Sequence, residues 1–179
     1  MKSLLVLAGW IDAVNDRFAS LAKWAILAAC VISTANAVVR YGLGISSNAF
    51  LEIQWYLFAV CVMFGAAQVL RVNEHVRVDI FYGMAPTRGK VVIDLLGLVF
   101  FLLPLTLFVA WLSLPVLMRM VVSAEMSSNA GGLIRWPAML TIPLGMALVA
   151  LQGVAEIIKR VGWLMHVHEM DTHYERPLQ

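Results

Sequence analysis

The chain has 179 residues, 61% of them hydrophobic and 13% charged, with a mean hydropathy of +0.84 and a formal net charge of +2. A soluble domain carries about 25% charged residues, so a chain this apolar reads as a membrane protein. No basic stripe with interleaved aromatics runs along it, which argues against a nucleic-acid partner, and Cys30 and Cys61 form no CxxC pair.

The opening MKSLLVLAGWI has one lysine before a short apolar run, then meets Asp12, Asn15, Asp16 and Arg17 with no small-residue cleavage site. A cleaved signal is therefore not expected. Leu4, Leu7, Ile11, Val14, Phe18 and Leu21 recur every three or four residues. That spacing predicts an N-terminal amphipathic helix, lying in the membrane interface or packing under the bundle, with Asp12, Asn15 and Asp16 facing elsewhere.

A spanning helix needs about 20 mostly apolar residues, and four segments qualify: 21–41, 54–70, 91–112 and 138–158. The first holds Ala25, Ala29, Ser33 and Ala37 at intervals of four, a row of small residues that would let another helix approach closely. Asn36, Gln68 and Gln152 are the polar side chains expected to hydrogen-bond between helices. Gly42 and Gly44 close the span.

The second span opens with FLEIQWYLF, whose Trp55 and Tyr56 suit the outer interface, and contains Gly65. Arg40 and Glu52 flank the short outer loop and are expected to pair across it, because unpaired charges near hydrocarbon are costly. RVNEHVRVDI follows, placing Arg71, Glu74, His75, Arg77 and Asp79 behind the apolar run. Its periodicity suits either a strand or a helix. Two readings stand: a charged turn that fixes topology, and an interfacial knot that docks a partner.

Apolar character in the third span continues past Trp111 through VLMRMVV, with bends expected at Pro104 and Pro115. Asp94, one turn beyond Lys90, reads as half of an interfacial pair. SAEMSSNAGGLIRWP is a turn-rich outer loop broken by Gly131 and Gly132, and Trp136 and Pro137 open the fourth span. Residues 1–162 thus read as one all-α domain of four transmembrane helices, followed by a polar tail over 163–179.

Lys2, Arg17, Lys23, Arg71, Arg77, Arg88, Lys90, Lys159, Arg160 and Arg176 fall on one side of this topology; Arg40, Arg119 and Arg135 fall on the other. The positive-inside rule places both termini and the 71–90 loop in the cytoplasm.

No catalytic, cofactor-binding or metal-binding residues are expected. None of the spans contains histidine, which argues against a bis-histidine haem. His166, His168 and His173 read as part of a solvated tail, and GxSxG, Walker A and GxGxxG motifs are missing. The span centres lack Asp, Glu, Lys and Arg, so the chain reads as a scaffold and not as a pump.

NAVVRYGLG followed by LEIQWYLFAVCVMFGAAQVLRVNEHVRVDIFYG resembles the small, DctQ-type membrane subunit of tripartite ATP-independent periplasmic (TRAP) transporters. Asn36, Arg40, Tyr41, Glu52, Trp55, Gly65, His75, Arg77 and Asp79 carry the resemblance, with PTRGKVVIDLLG and the IPLG of residues 142–145. It implies an accessory scaffold in the bacterial inner membrane, surrounded by lipid and bound to a large multi-span subunit that couples sodium to the import of an organic anion, typically a carboxylate. A periplasmic binding protein would deliver that anion. The resemblance gives Arg71, His75, Arg77 and Asp79 a structural and docking role. The alternative reading is a small membrane anchor of a quinone- or haem-bearing redox complex.

Overall fold

The computed structural model describes residues 1–45, 47–73, 82 and 84–169. Four helices among the described residues are long and apolar enough to cross a membrane: α1 (Lys2–Leu43), α2 (Asn48–Val72), α3 (Thr87–Val122) and α4 (Trp136–Leu164). Among the described residues the only β pairing is an isolated bridge, Met126 with Ile134.

α1 is one uninterrupted helix of 42 residues. The expected N-terminal helix therefore exists, but it runs straight into the first span. No proline and only Gly9 interrupt residues 2–41, and alanine, the best helix former, recurs throughout. The helix ends at Gly44, whose φ of 69° puts it in the left-handed region and whose N–H donates to the Arg40 carbonyl at 3.2 Å. Gly42 stays helical. α2 ends in the same way at Asn73, with φ 63°.

α3 contains a π turn, Leu98–Leu102, immediately before Pro104. Proline has no N–H to donate, and a widened turn is a common way for a helix to absorb such a defect. The Thr106 hydroxyl donates to the Leu102 and Leu103 carbonyls at 2.8 and 3.1 Å on the other side of the defect. The helix passes through Pro115 without ending.

α4 is the central element: it packs against α1, α2 and α3, while α1 and α2 form a long antiparallel pair. Two of its glycines set the spacing. A Cβ on Gly145 would lie 2.7 Å from Met63 Cβ and 2.8 Å from the Met63 carbonyl oxygen, and one on Gly153 would lie 2.8 Å from Leu102 Cδ2. Backbone approach this close is how helices gain dispersion energy where lipid offers no hydrophobic drive.

The bundle buries many small and polar groups and leaves many large apolar side chains exposed, with Leu70, Val91, Leu98, Leu117 and Leu148 among the larger apolar residues turned inward. On α1 the buried positions are Ala8, Asn15, Ala19, Ala22, Ala25, Ala29 and Asn36. Leu4, Leu7, Val14 and Leu21, from the expected apolar face, are exposed, whereas Asn15 is 1% exposed. Ile11 and Phe18 of the same face are half-buried, with Phe18 edge-on to Phe64 of α2 at 5.1 Å, so the stripe is divided between the bundle and its exterior. In water the apolar stripe would face the core; in a bilayer the exterior is as apolar as any core, and polar side chains turn inward for partners.

Candidate functional site

α1 and α4 meet through side chains that a soluble protein would display on its surface. Asn15 Nδ2 donates to Gln152 Oε1 at 2.6 Å, and Gln152 Nε2 donates to Asp12 Oδ1 at 2.8 Å and Glu156 Oε1 at 3.2 Å. Lys159 Nζ lies 2.8 Å from both Asp12 Oδ2 and Glu156 Oε1. Arg160 donates to Glu156 Oε2 at 2.5 Å and reaches Asp94 Oδ2 of α3 at 3.4 Å. The Tyr82 hydroxyl donates to the same Asp94 oxygen at 3.2 Å. Arg71, at the end of α2, pairs with Asp16 and reaches the Asp12 carbonyl oxygen at 3.5 Å. One network thus ties all four helices together at the end of the bundle where α1 begins and α4 ends.

The local sequence explains the convergence. Glu156, Lys159 and Arg160 are spaced three and four apart, so they share one face of α4. Asp12, Asn15 and Asp16 do the same on α1. Gln152, Glu156 and Arg160 are all 5% exposed or less. Moving an ion from water into such a site costs several kcal/mol, which only close pairing offsets, so the network favours one helix register over its alternatives.

A second polar site lies at the other end. Glu52, 3% exposed, accepts hydrogen bonds from the Ser127 hydroxyl, from Asn129 Nδ2 at 2.8 Å and from the Leu133 backbone N–H at 2.6 Å. Ser127 N–H also donates to the Leu133 carbonyl at 2.9 Å, closing the outer loop as a hairpin-like turn. A Cβ on Gly132 would sit 2.9 Å from Glu52 Oε1, so this turn needs glycine there. The expected Arg40–Glu52 pair is replaced by this clamp. Arg40 is exposed at the end of α1, and the loop amides and hydroxyls outcompete it because they are held within reach and cost little side-chain entropy.

Of the other predicted positions, Arg71 joins the network, and Trp55 is exposed beside an open groove of about 690 Å³ between α2 and α4. His75, Arg77 and Asp79 lie outside the described residues. In the proposed packing row Ala25 and Ala29 are buried, while Ser33 and Ala37 are exposed; the neighbouring Asn36 is buried. Four residues overshoot one helical turn by about 40°, so a strict four-residue row winds off the contact face. The buried seam instead recurs every seven, at Ala8, Asn15, Ala22, Ala29 and Asn36, which holds a left-handed crossing. Gly65 faces that seam: a Cβ there would lie 3.9 Å from Ala22 Cβ.

Gln152 is bonded between helices as expected. Sequence reasoning did not connect Asp12, Asn15, Asp16, Glu156, Lys159 and Arg160. The available signal was that both clusters fall one helical turn apart on helices flanking the same membrane face.

Four apolar helices with mutually paired buried charges define a polytopic helical membrane protein. Asp, Glu, Lys, Arg and His lie outside four stretches, between Lys23 and Arg40, Glu52 and Arg71, Asp94 and Arg119, and Arg135 and Glu156. Residues 29–162 match the family model described as the DctQ component of tripartite ATP-independent periplasmic transporters, and the chain belongs to that family. It is a transporter component and not an enzyme. No curated protein and no solved structure matches it.

Proposed function

We propose that this chain is the static scaffold subunit of a sodium-coupled transporter that imports an organic anion, most simply a carboxylate, across the bacterial inner membrane. In this reading a large multi-span subunit moves the substrate and sodium, a periplasmic binding protein delivers the substrate, and both termini of the present chain are cytoplasmic. The observation that carries it is the use made of the inward-facing charges: the buried Glu156 and Arg160 and the half-buried Asp12, Asp94 and Lys159 bond to one another and to Gln152 and Tyr82. Groups committed to holding helices in register suit a support better than a moving path. Arg71 docks α2 against α1 within this scaffold, and in this reading His75, Arg77 and Asp79, next in sequence, share the docking role.

The test is uptake by cells expressing the three components. Omitting this chain should abolish accumulation of the substrate and lower recovery of the large subunit from the membrane. Full sodium-dependent uptake by the large subunit and binding protein alone would overturn the proposal.

A further inference from the structure

Beside the Glu52 clamp, α2 and α4 do not close on one another. The groove of about 690 Å³ left between them and the 125–135 loop falls within the range of about 300–1,000 Å³ typical of small-ligand sites. Its two ends differ in chemistry. Glu52, Ser128 and Arg135 line the loop end, while Phe58, Val62, Met63 and Ile142 line the part that runs away from it. From Glu52 to Met63 the helix rises roughly 16 Å at ~1.5 Å per residue. The apolar part therefore reaches well into the stretch between Glu52 and Arg71, which is free of charged residues. The exposed Trp55 lies where the two chemistries meet, and tryptophan favours that depth in a bilayer.

The charges at the loop end decide what kind of molecule fits. Glu52 already accepts from the Ser127 hydroxyl, Asn129 and the Leu133 N–H, whereas the exposed Ser128 takes no part in that clamp. Arg135 pairs with Glu125, and the two side chains remain 51% and 40% exposed. Two carboxylates, Glu52 and Glu125, thus accompany one guanidinium. That balance opposes a headgroup with a net negative charge. The half-exposed pair nevertheless offers a donor fork and an acceptor side by side, which a phosphate with a neighbouring ammonium matches. An apolar partner helix matches neither, because it would cover an ion pair without bonding to it.

We propose that this groove binds one aminophospholipid molecule from the adjoining leaflet, with its phosphate on Arg135 and Ser128, its ammonium on Glu125 and one acyl chain along Phe58, Val62 and Met63. The site is built from this chain alone and does not depend on the scaffold reading.

The experiment is native mass spectrometry of the full chain, purified in detergent, stripped of lipid and mixed with equal amounts of dioleoyl phosphatidylethanolamine and dioleoyl phosphatidylglycerol. One phosphatidylethanolamine molecule is expected to stay bound, with severalfold less phosphatidylglycerol. R135Q should reduce that adduct severalfold, and so should V62W, which alters an exposed side chain and leaves the clamp and the cytoplasmic network untouched. E125Q should narrow the preference between the two lipids, and F101W, on the exposed face of α3, should change nothing. Equal retention of both lipids, or retention indifferent to R135Q and V62W, would mean ordinary solvating lipid and overturn the site. In membranes holding the whole transporter, a photo-reactive benzophenone side chain at Val62 should couple to lipid. Coupling to the large subunit or to a second copy would assign the groove to that partner and overturn the proposal while leaving the scaffold reading intact.

Discussion

Asn15 on α1 and Gln152 on α4, 137 residues apart in sequence, share a 2.6 Å hydrogen bond while being 1% and 0% exposed. Gln152 also donates to Asp12 and Glu156, so its amide orients both carboxylates toward Lys159 and, through Glu156, toward Arg160.

That arrangement predicts an asymmetry between single and double replacements. Q152M leaves Asn15 without its acceptor and removes a donor from two carboxylates, and should cost about 1–3 kcal/mol of stability. N15L alone should cost less. The double variant should recover part of the loss, because an apolar pair of similar shape leaves fewer orphaned groups. Thermal unfolding in detergent measures all three, and strict additivity would mean that the bond contributes nothing.

Glu156 accepts from Gln152, Lys159 and Arg160 at once. E156A leaves the nearly buried Arg160 with only its 3.4 Å contact to Asp94 among these carboxylates, and loss of one member of a buried ion pair costs about 3–5 kcal/mol. The expected readout is a large fall in Tm, with loss of folded protein at ordinary growth temperature. A shift comparable to that of an exposed replacement such as R17A would show that the network is unimportant for stability.

Glu52 and Arg40 should behave oppositely. E52A frees the Ser127 hydroxyl, the Asn129 amide and the Leu133 N–H together, so it should lower the Tm and open the 123–135 loop to added protease. R40A should leave both properties unchanged. Equal and non-additive effects would restore the Arg40–Glu52 pair that the sequence suggested.

Gly145 and Gly97 separate packing from helix propensity. G145A drives a methyl group into the Met63 backbone and should destabilise by about 1–3 kcal/mol as α2 and α4 are forced apart. Nothing lies within 4 Å of a Cβ at Gly97, so G97A should be neutral or slightly stabilising, by up to about 1 kcal/mol. Matching losses at both positions would argue that neither reflects close approach.

Composition and hydropathy were enough to determine that this is a helical membrane protein with four spans, because the bilayer demands long apolar runs with internally satisfied backbone. The order of short motifs from Asn36 to Gly145 was enough to suggest the family that the chain proved to match over residues 29–162. Gly44 ends α1 and Pro137 sits in the first turn of α4, as the sequence suggested, while Gly42 stays within α1 and Pro104 follows a π turn.

Only the tertiary structure decided which face of each helix looks inward and which charges meet. A period of three to four residues shows that α1 has a distinctive stripe, but the sign of its burial depends on the solvent, and here Leu7 and Val14 face out while Asn15 faces in. Charge proximity likewise follows from helix antiparallelism and offset, which bring Asp12 to Lys159 across 147 residues and carry Glu52 to Leu133 instead of Arg40. How closely α4 approaches α2 and α3 is likewise decided at Gly145 and Gly153, a three-dimensional quantity that no local spacing encodes.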